Sequence, residues 1–115
     1  MNTYYLYNSD KPNKKYFVEF VNKDTARIKR IYFGAIRPNG IPYEAYIDHK
    51  NEERKNRYLA RHKANEDWTK PSPGFFSRWI LWNKPSLTAS IKDINQRFNI
   101  KIINKTKQKI KIDVV

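Results

Sequence analysis

The stretch from Arg61 to Phe98 holds all three tryptophans and three of the six phenylalanines of a 115-residue chain. Rings of this size bury large areas and require shaped surroundings, so any core must be organised around this third of the sequence. Within it, Thr69-Lys70-Pro71-Ser72-Pro73-Gly74 forbids helix, because each proline removes a backbone donor and biases its predecessor to extended conformations. Phe75 to Trp82 is nearly all apolar and is predicted as one or two helical turns, serving either as the core centre or as a contact surface. Ser86 is placed to cap a last helix running from Leu87 to Asn99, in which Leu87, Ile91, Ile94 and Phe98 share one face.

The flanks carry strand patterns. Residues 16 to 21 are β-branched or aromatic with one polar interruption, Asn22-Lys23-Asp24 offers turn chemistry, and a second run extends from Ala26 to Phe33. This reads as a β-hairpin whose second strand has no cleanly apolar face and suits a sheet edge. Gly34 to Tyr46 is a loop. Asp48 is a candidate N-cap for a helix over 49–65, with Glu52 and Glu53 in its first turn and Arg61, His62 and Lys63 near its end. That helix has only Tyr58 and Leu59 as large apolar residues, so it buries a narrow stripe. From Ile100 to Val115 alternation returns, either as a second hairpin or as one strand rejoining the N-terminal sheet. The expectation is a single basic α+β domain over 1–115: a small antiparallel sheet from the N-terminal hairpin and the C-terminal strands, packed on about three helices, with residues 1–14 loosely ordered.

Twenty-four Lys and Arg against eleven Asp and Glu give a net charge of +13. Such a field attracts polyanions. AT-rich codon usage would inflate lysine without function, but it would not favour the arginines that also cluster here. No cysteine is present, which excludes disulfides and thiolate metal sites. No apolar run approaches a membrane span, and the first residues lack the order of a secretion signal, so the chain is expected to be neither membrane-spanning nor secreted.

Three constellations carry chemistry. Lys50, Arg54, Arg57 and Arg61 recur at helical spacing along one face, a ridge roughly 16 Å long that suits a row of phosphates; Lys63 extends it, and Arg78 with Lys84 forms a second patch. The alternative is a solvated face whose charges pair with Glu53 and its neighbours. The rings of Trp68, Trp79 and Trp82 belong to the core, to a protein-docking hot spot or to a base-stacking surface. His49 and His62, among Asp48, Glu52, Glu53, Glu66 and Asp67, are the only group resembling an acid–base or metal site. Their thirteen-residue separation does not match a helical metal clamp, so they read as structural or phosphate-contacting. No Gly-rich phosphate loop or nucleophile elbow is present. No catalytic residue, metal or cofactor is expected.

The residues His49, Lys50, Arg54, Tyr58, Arg61, His62, Glu66 and Trp68, then Gly74-Phe75, then Ser77, Arg78, Trp79, Leu81 to Pro85, Leu87, Ser90, Ile91, Asp93, Asn95, Arg97 and Phe98 form a specific pattern. It resembles that of a family of small uncharacterised proteins common in large nucleocytoplasmic DNA viruses. The resemblance implies a viral source and a location in the virion or in the interior of the infected cell, cytoplasm or nucleus. Joined to the charge, it leads to the expectation of a non-enzymatic protein that binds nucleic acid, DNA rather than RNA, through the phosphate backbone and largely independently of sequence. The alternative is a virion structural protein, a minor capsid or core component, that meets an acidic virion protein and docks through Trp68, Trp79 and Trp82.

Overall fold

In a computed structural model, residues 2–106 are described. Alternating apolar residues build four strands, β1 (Asn2–Asn8), β2 (Lys14–Asn22), β3 (Arg27–Ala35) and β4 (Ile100–Asn104), side by side in the order β3-β2-β1-β4. β2 is antiparallel to both of its neighbours, and β4 is parallel to β1. Tyr4, Leu6, Val18, Phe33, Ile100 and Ile102 point to one face and are buried there. The β2–β3 hairpin is the one the sequence predicts: Asn22 Oδ1 accepts the Asp24 N–H at 2.9 Å, and Ala26 completes the turn at φ 55°. β3 lies on the sheet edge.

Two expectations about the sheet are corrected. The N-terminal residues are not loose, because β1 is an interior strand in which Tyr4 is 3% and Leu6 0% exposed. Both of its partners come from elsewhere in the chain, and a seven-residue run with polar ends does not advertise them. The sheet is also mixed rather than wholly antiparallel, because the chain crosses over through the helical layer before β4 returns beside β1. The Lys109 to Val115 run lies outside the described residues.

The helical layer covers one face of the sheet. α1 spans Tyr46–His49, α2 Glu52–His62, α3 Pro73–Phe76 and α4 Leu87–Arg97, with α3 running directly into a π-helical turn over Ser77–Leu81. Ser72 and Ser86 cap α3 and α4, their hydroxyls accepting from Phe75 N and Ala89 N at 3.1 Å each. Phe75, Phe76, Ile80, Leu81, Ile91 and Ile94 are buried against the sheet. The Phe75 to Trp82 segment is therefore core, with Trp79 and Trp82 packed at its rim.

The helix expected over 49–65 is broken. Lys50 takes a left-handed conformation at φ 56° and closes α1, and Asn51 then caps α2 by accepting the Arg54 N–H at 3.1 Å. Asp48 instead accepts the Ala45 N–H and pairs with Lys15. Asparagine and aspartate are comparable N-caps, and here the later one starts the long helix. Among α2 residues only Tyr58 is buried, so the helix lies on the body like a strap.

Candidate nucleic-acid interface

The strap is fastened chiefly through Tyr58 and Lys55, and at its start the Tyr46 hydroxyl donates to Glu52 at 2.7 Å. Tyr58 stacks on Trp82 with ring centres 4.1 Å apart and planes within 3°, and Lys55 Nζ donates to the Asn83 carbonyl at 2.6 Å. Asn83, itself buried, donates to Asp93 at 2.8 Å. Burial alone would raise the Asp93 pKa, but the hydrogen bonds from Asn83 and Arg97 outweigh it and hold this carboxyl below its ordinary range.

Between α2 and the ends of β2 and β3 lies a cleft of about 990 Å³. Its walls carry five cations, Lys14, Lys15, Arg54, Arg57 and Arg61, against two carboxylates, Glu44 and Glu66. Lys15 pairs with Asp48 at 3.0 Å and Arg54 with Glu44 at 3.5 Å. Lys14, Arg57 and Arg61 have no ionic partner among the described residues. In particular, the Glu53 to Arg57 pairing that would make the helix an ordinary solvated face does not form. A second cleft of about 550 Å³ adds Lys11 and shares the Lys14–Lys15 wall, with Glu44 and Asp48 also lining it.

Gly34 allows this closeness. It sits at φ +83°, and a Cβ there would lie 2.9 Å from Lys15 Cβ, so a larger residue would push apart the strand ends that carry the lysines.

At the far end of α2, Glu66 organises a small network. Its Oε2 lies 3.1 Å from His62 Nδ1, whose N–H donates to it, and its Oε1 accepts the Trp68 Nε1–H at 2.9 Å. Gly74 leaves room for this carboxylate, since a Cβ would lie 3.1 Å from Glu66 Cδ. His62 also stacks on Tyr58, centre to centre 4.2 Å. Trp82, Tyr58 and His62 thus form a column of rings along the cleft wall.

His49 sits at the other end of that column, edge-on to Trp82 at 5.4 Å. The Asn51 N–H donates to its Nδ1 at 3.0 Å, while its Nε2 is buried without a partner among the described residues. Burial, and then the nearby Arg54 charge, lower its pKa.

The sequence-predicted residues divide accordingly. Arg54, Arg57 and Arg61 line the cleft, whereas Lys50 lies at the α1–α2 break and Lys63 caps α2. Whereas Lys84 is exposed, Arg78 is half-buried. Its guanidinium lies 4.2 Å from the Trp79 ring centre and 5.3 Å from that of Trp68, and it donates to the Trp82 carbonyl at 2.9 Å. Its desolvation, and then the charge of Arg97, lower its pKa. All three tryptophans are partly buried, and Trp82 alone of them lines the cleft. Sequence reasoning missed Lys14 and Lys15. Their only local signal is the Lys11 to Lys15 cluster in a tight turn, and nothing in the sequence brings that turn opposite α2.

Among the described residues no helix is long and apolar enough to cross a membrane, and no group of three or more His, Cys, Asp or Glu side chains is placed to hold a metal ion. In comparisons with known proteins, residues 4–62 match a family of unknown function (DUF5754). That span runs from β1 through the end of α2 and includes all five cleft cations. No curated protein and no solved structure matches the chain.

Proposed function

The chain belongs to that family of unknown function, and we propose that it is a non-enzymatic protein that binds nucleic acid through the phosphate backbone, largely independently of sequence. The observation that carries this reading is the presence of Lys14, Arg57 and Arg61, from two separate elements, in one cleft without ionic partners. Charges held together on a rigid frame repel one another, and a polyanion relieves that repulsion while releasing its condensed counterions. Cations without ionic partners suit phosphate oxygens, which carry no sequence information, so phosphate contact supplies the affinity. The pattern from His49 to Phe98 supports a source in a large DNA virus, with DNA as the polymer and the virion or infected-cell interior as the setting.

The test is anisotropy titration of labelled DNA and RNA, single- and double-stranded, over a salt series. The logarithm of affinity should fall linearly with that of salt concentration. The double variant Arg57→Glu/Arg61→Glu should lose most of the affinity and flatten the single-strand slope by about 1.4, or about 0.7 per phosphate contact. Unchanged affinity in a folded double variant refutes the reading.

A second reading is a virion structural role in which the tryptophan segment docks an acidic partner. It is favoured by the partly exposed rings of Trp68 and Trp79, which meet Arg78 and Arg97, since Trp and Arg dominate binding hot spots. Salt-independent, weak polymer binding would favour it.

A further inference from the structure

We infer that the cleft holds one unpaired nucleotide, its base stacked on His62 and its phosphates on Arg57 and Arg61, so that the ligand is a single strand or an unpaired end rather than continuous duplex. This rests on the nucleic-acid reading above and narrows it. Three features lead to it.

The first is the ring column. Trp82 and Tyr58 are nearly coplanar in stack, and His62 continues the stack at 26°. One face of the His62 ring is covered by Tyr58, and the side chain keeps 40% of its surface exposed. The column therefore ends in an open ring at the cleft wall, and a base adds to such a stack whatever its identity.

The second is that His62 is held. Tyr58 supports its plane, Glu66 fixes Nδ1, and Glu66 is itself fixed by the Trp68 indole and given space by Gly74. An ordinary surface histidine needs no such bracing. A ring kept in one orientation before the ligand arrives loses little entropy on binding. Its Nε2 has no partner among the described residues and is available to accept an N–H from a base edge.

The third is size and charge. A volume of about 990 Å³ lies at the upper end of small-ligand sites, roughly 300–1,000 Å³, enough for a nucleotide and part of its neighbour. Arg57 and Arg61 border the same space without ionic partners. Duplex bases remain stacked on one another and cannot reach His62 without unpairing, whereas a single strand offers them at no such cost.

The experiment uses the full chain and a short oligonucleotide carrying one 2-aminopurine, as DNA and as RNA, single-stranded and annealed. Single-strand binding should quench the 2-aminopurine fluorescence and exceed duplex binding by about tenfold or more. His62→Ala should abolish the quenching and reduce single-strand affinity to the duplex level. His62→Phe, which keeps a stacking face but breaks the Glu66 bond, should restore both. Equal affinity of the wild type for duplex and single strand, or quenching that persists in His62→Ala, overturns the inference while leaving backbone binding in place. No binding of any polymer at low salt removes the nucleic-acid reading itself, and the inference with it.

Discussion

Removing the Tyr58 ring should release α2 without unfolding the protein. Tyr58 is 9% exposed and is the one buried residue of the helix, with rings against both faces, Trp82 at 4.1 Å and His62 at 4.2 Å. Truncating a buried aromatic residue to alanine costs about 3–5 kcal/mol, and each ring pair adds about 0.5–1.5 kcal/mol beyond area burial. Against this, the remaining fastenings are the Lys55 to Asn83 hydrogen bond, for which about 1.5–3 kcal/mol is typical of a charged donor, the Tyr46 hydroxyl donating to Glu52 at 2.7 Å and the exposed Arg54–Glu44 pair. An isolated helix shorter than roughly 12 residues is marginal in water, and α2 has 11. The substitution therefore removes the largest single hold on the helix, and Tyr58→Ala should populate a state with the C-terminal turns of α2 open and the sheet intact. Hydrogen exchange reads this directly: amides of residues 56–62 should lose protection while those of β1 and β2 keep theirs, a local opening distinct from global unfolding. Tyr58→Phe preserves both stacks and should behave as wild type. The reasoning is refuted if α2 amides in Tyr58→Ala stay protected, or if helix and sheet lose protection together in one step.

Two further outcomes follow from the core and from the hinge. Ile94→Ala removes a side chain with no exposed surface between α4 and the sheet and should lower unfolding free energy by about 2–5 kcal/mol in chemical denaturation; a negligible change would mean that α4 does not build the core. His49, whose pKa is lowered by burial and then by Arg54, is favoured neutral in the folded chain, so the unfolded chain binds more protons as pH falls below its ordinary value of about 6.5. Stability should decline between pH 7 and 5, above the range in which the carboxylates titrate, and His49→Asn, which keeps an acceptor for the Asn51 N–H, should flatten that decline; an unchanged slope would show that the ring is not the titrating group.

Local patterns carried the elements that close on themselves. The β2–β3 hairpin announces itself through its turn residues, and α4 through a serine cap and a regular stripe. The light packing of α2 was also legible, since Tyr58 and Leu59 are its only large apolar residues. β1 was not, because its sequence is short with polar ends and its parallel partner β4 comes from more than ninety residues away. The break at Lys50 escaped for a different reason. A left-handed lysine is uncommon, and the adjacent Asp48 and Asn51 are both good caps, so the sequence does not say which one begins the long helix. For the site, the arginines were visible as a helical ridge, but their confrontation with Lys14 and Lys15 was not. Gly34 lets β3 approach Lys15 closely, and the placing of α2 opposite that strand end rests on tertiary packing that no spacing rule encodes. The packing of the Arg78 guanidinium against Trp68 and Trp79 was not legible either, because nothing in the sequence brings Trp68 back over it.

The costly residues of the tryptophan segment acquire a purpose once their bonds are followed outward. Phe98 and Phe75 belong to the core region, and Trp79 packs edge-on to Phe98 at 5.3 Å. Trp79 Nε1 donates to the Trp68 carbonyl at 2.8 Å, Trp68 Nε1 donates to Glu66, and Glu66 holds His62. In parallel, Trp82 supports Tyr58, which supports the same histidine. Two routes thus run from the core to one ring at the cleft wall. A helix as polar as α2 cannot fix its own position by burial, and without these braces its arginines would sample many arrangements, each ordered anew at an entropic cost when a ligand bound. The tryptophans contribute chiefly as the frame that holds a weakly packed basic helix in register with the lysines of β2. Breaking the frame at Trp68, whose indole bonds only Glu66 among the described residues, would therefore disturb His62 before it disturbed the sheet.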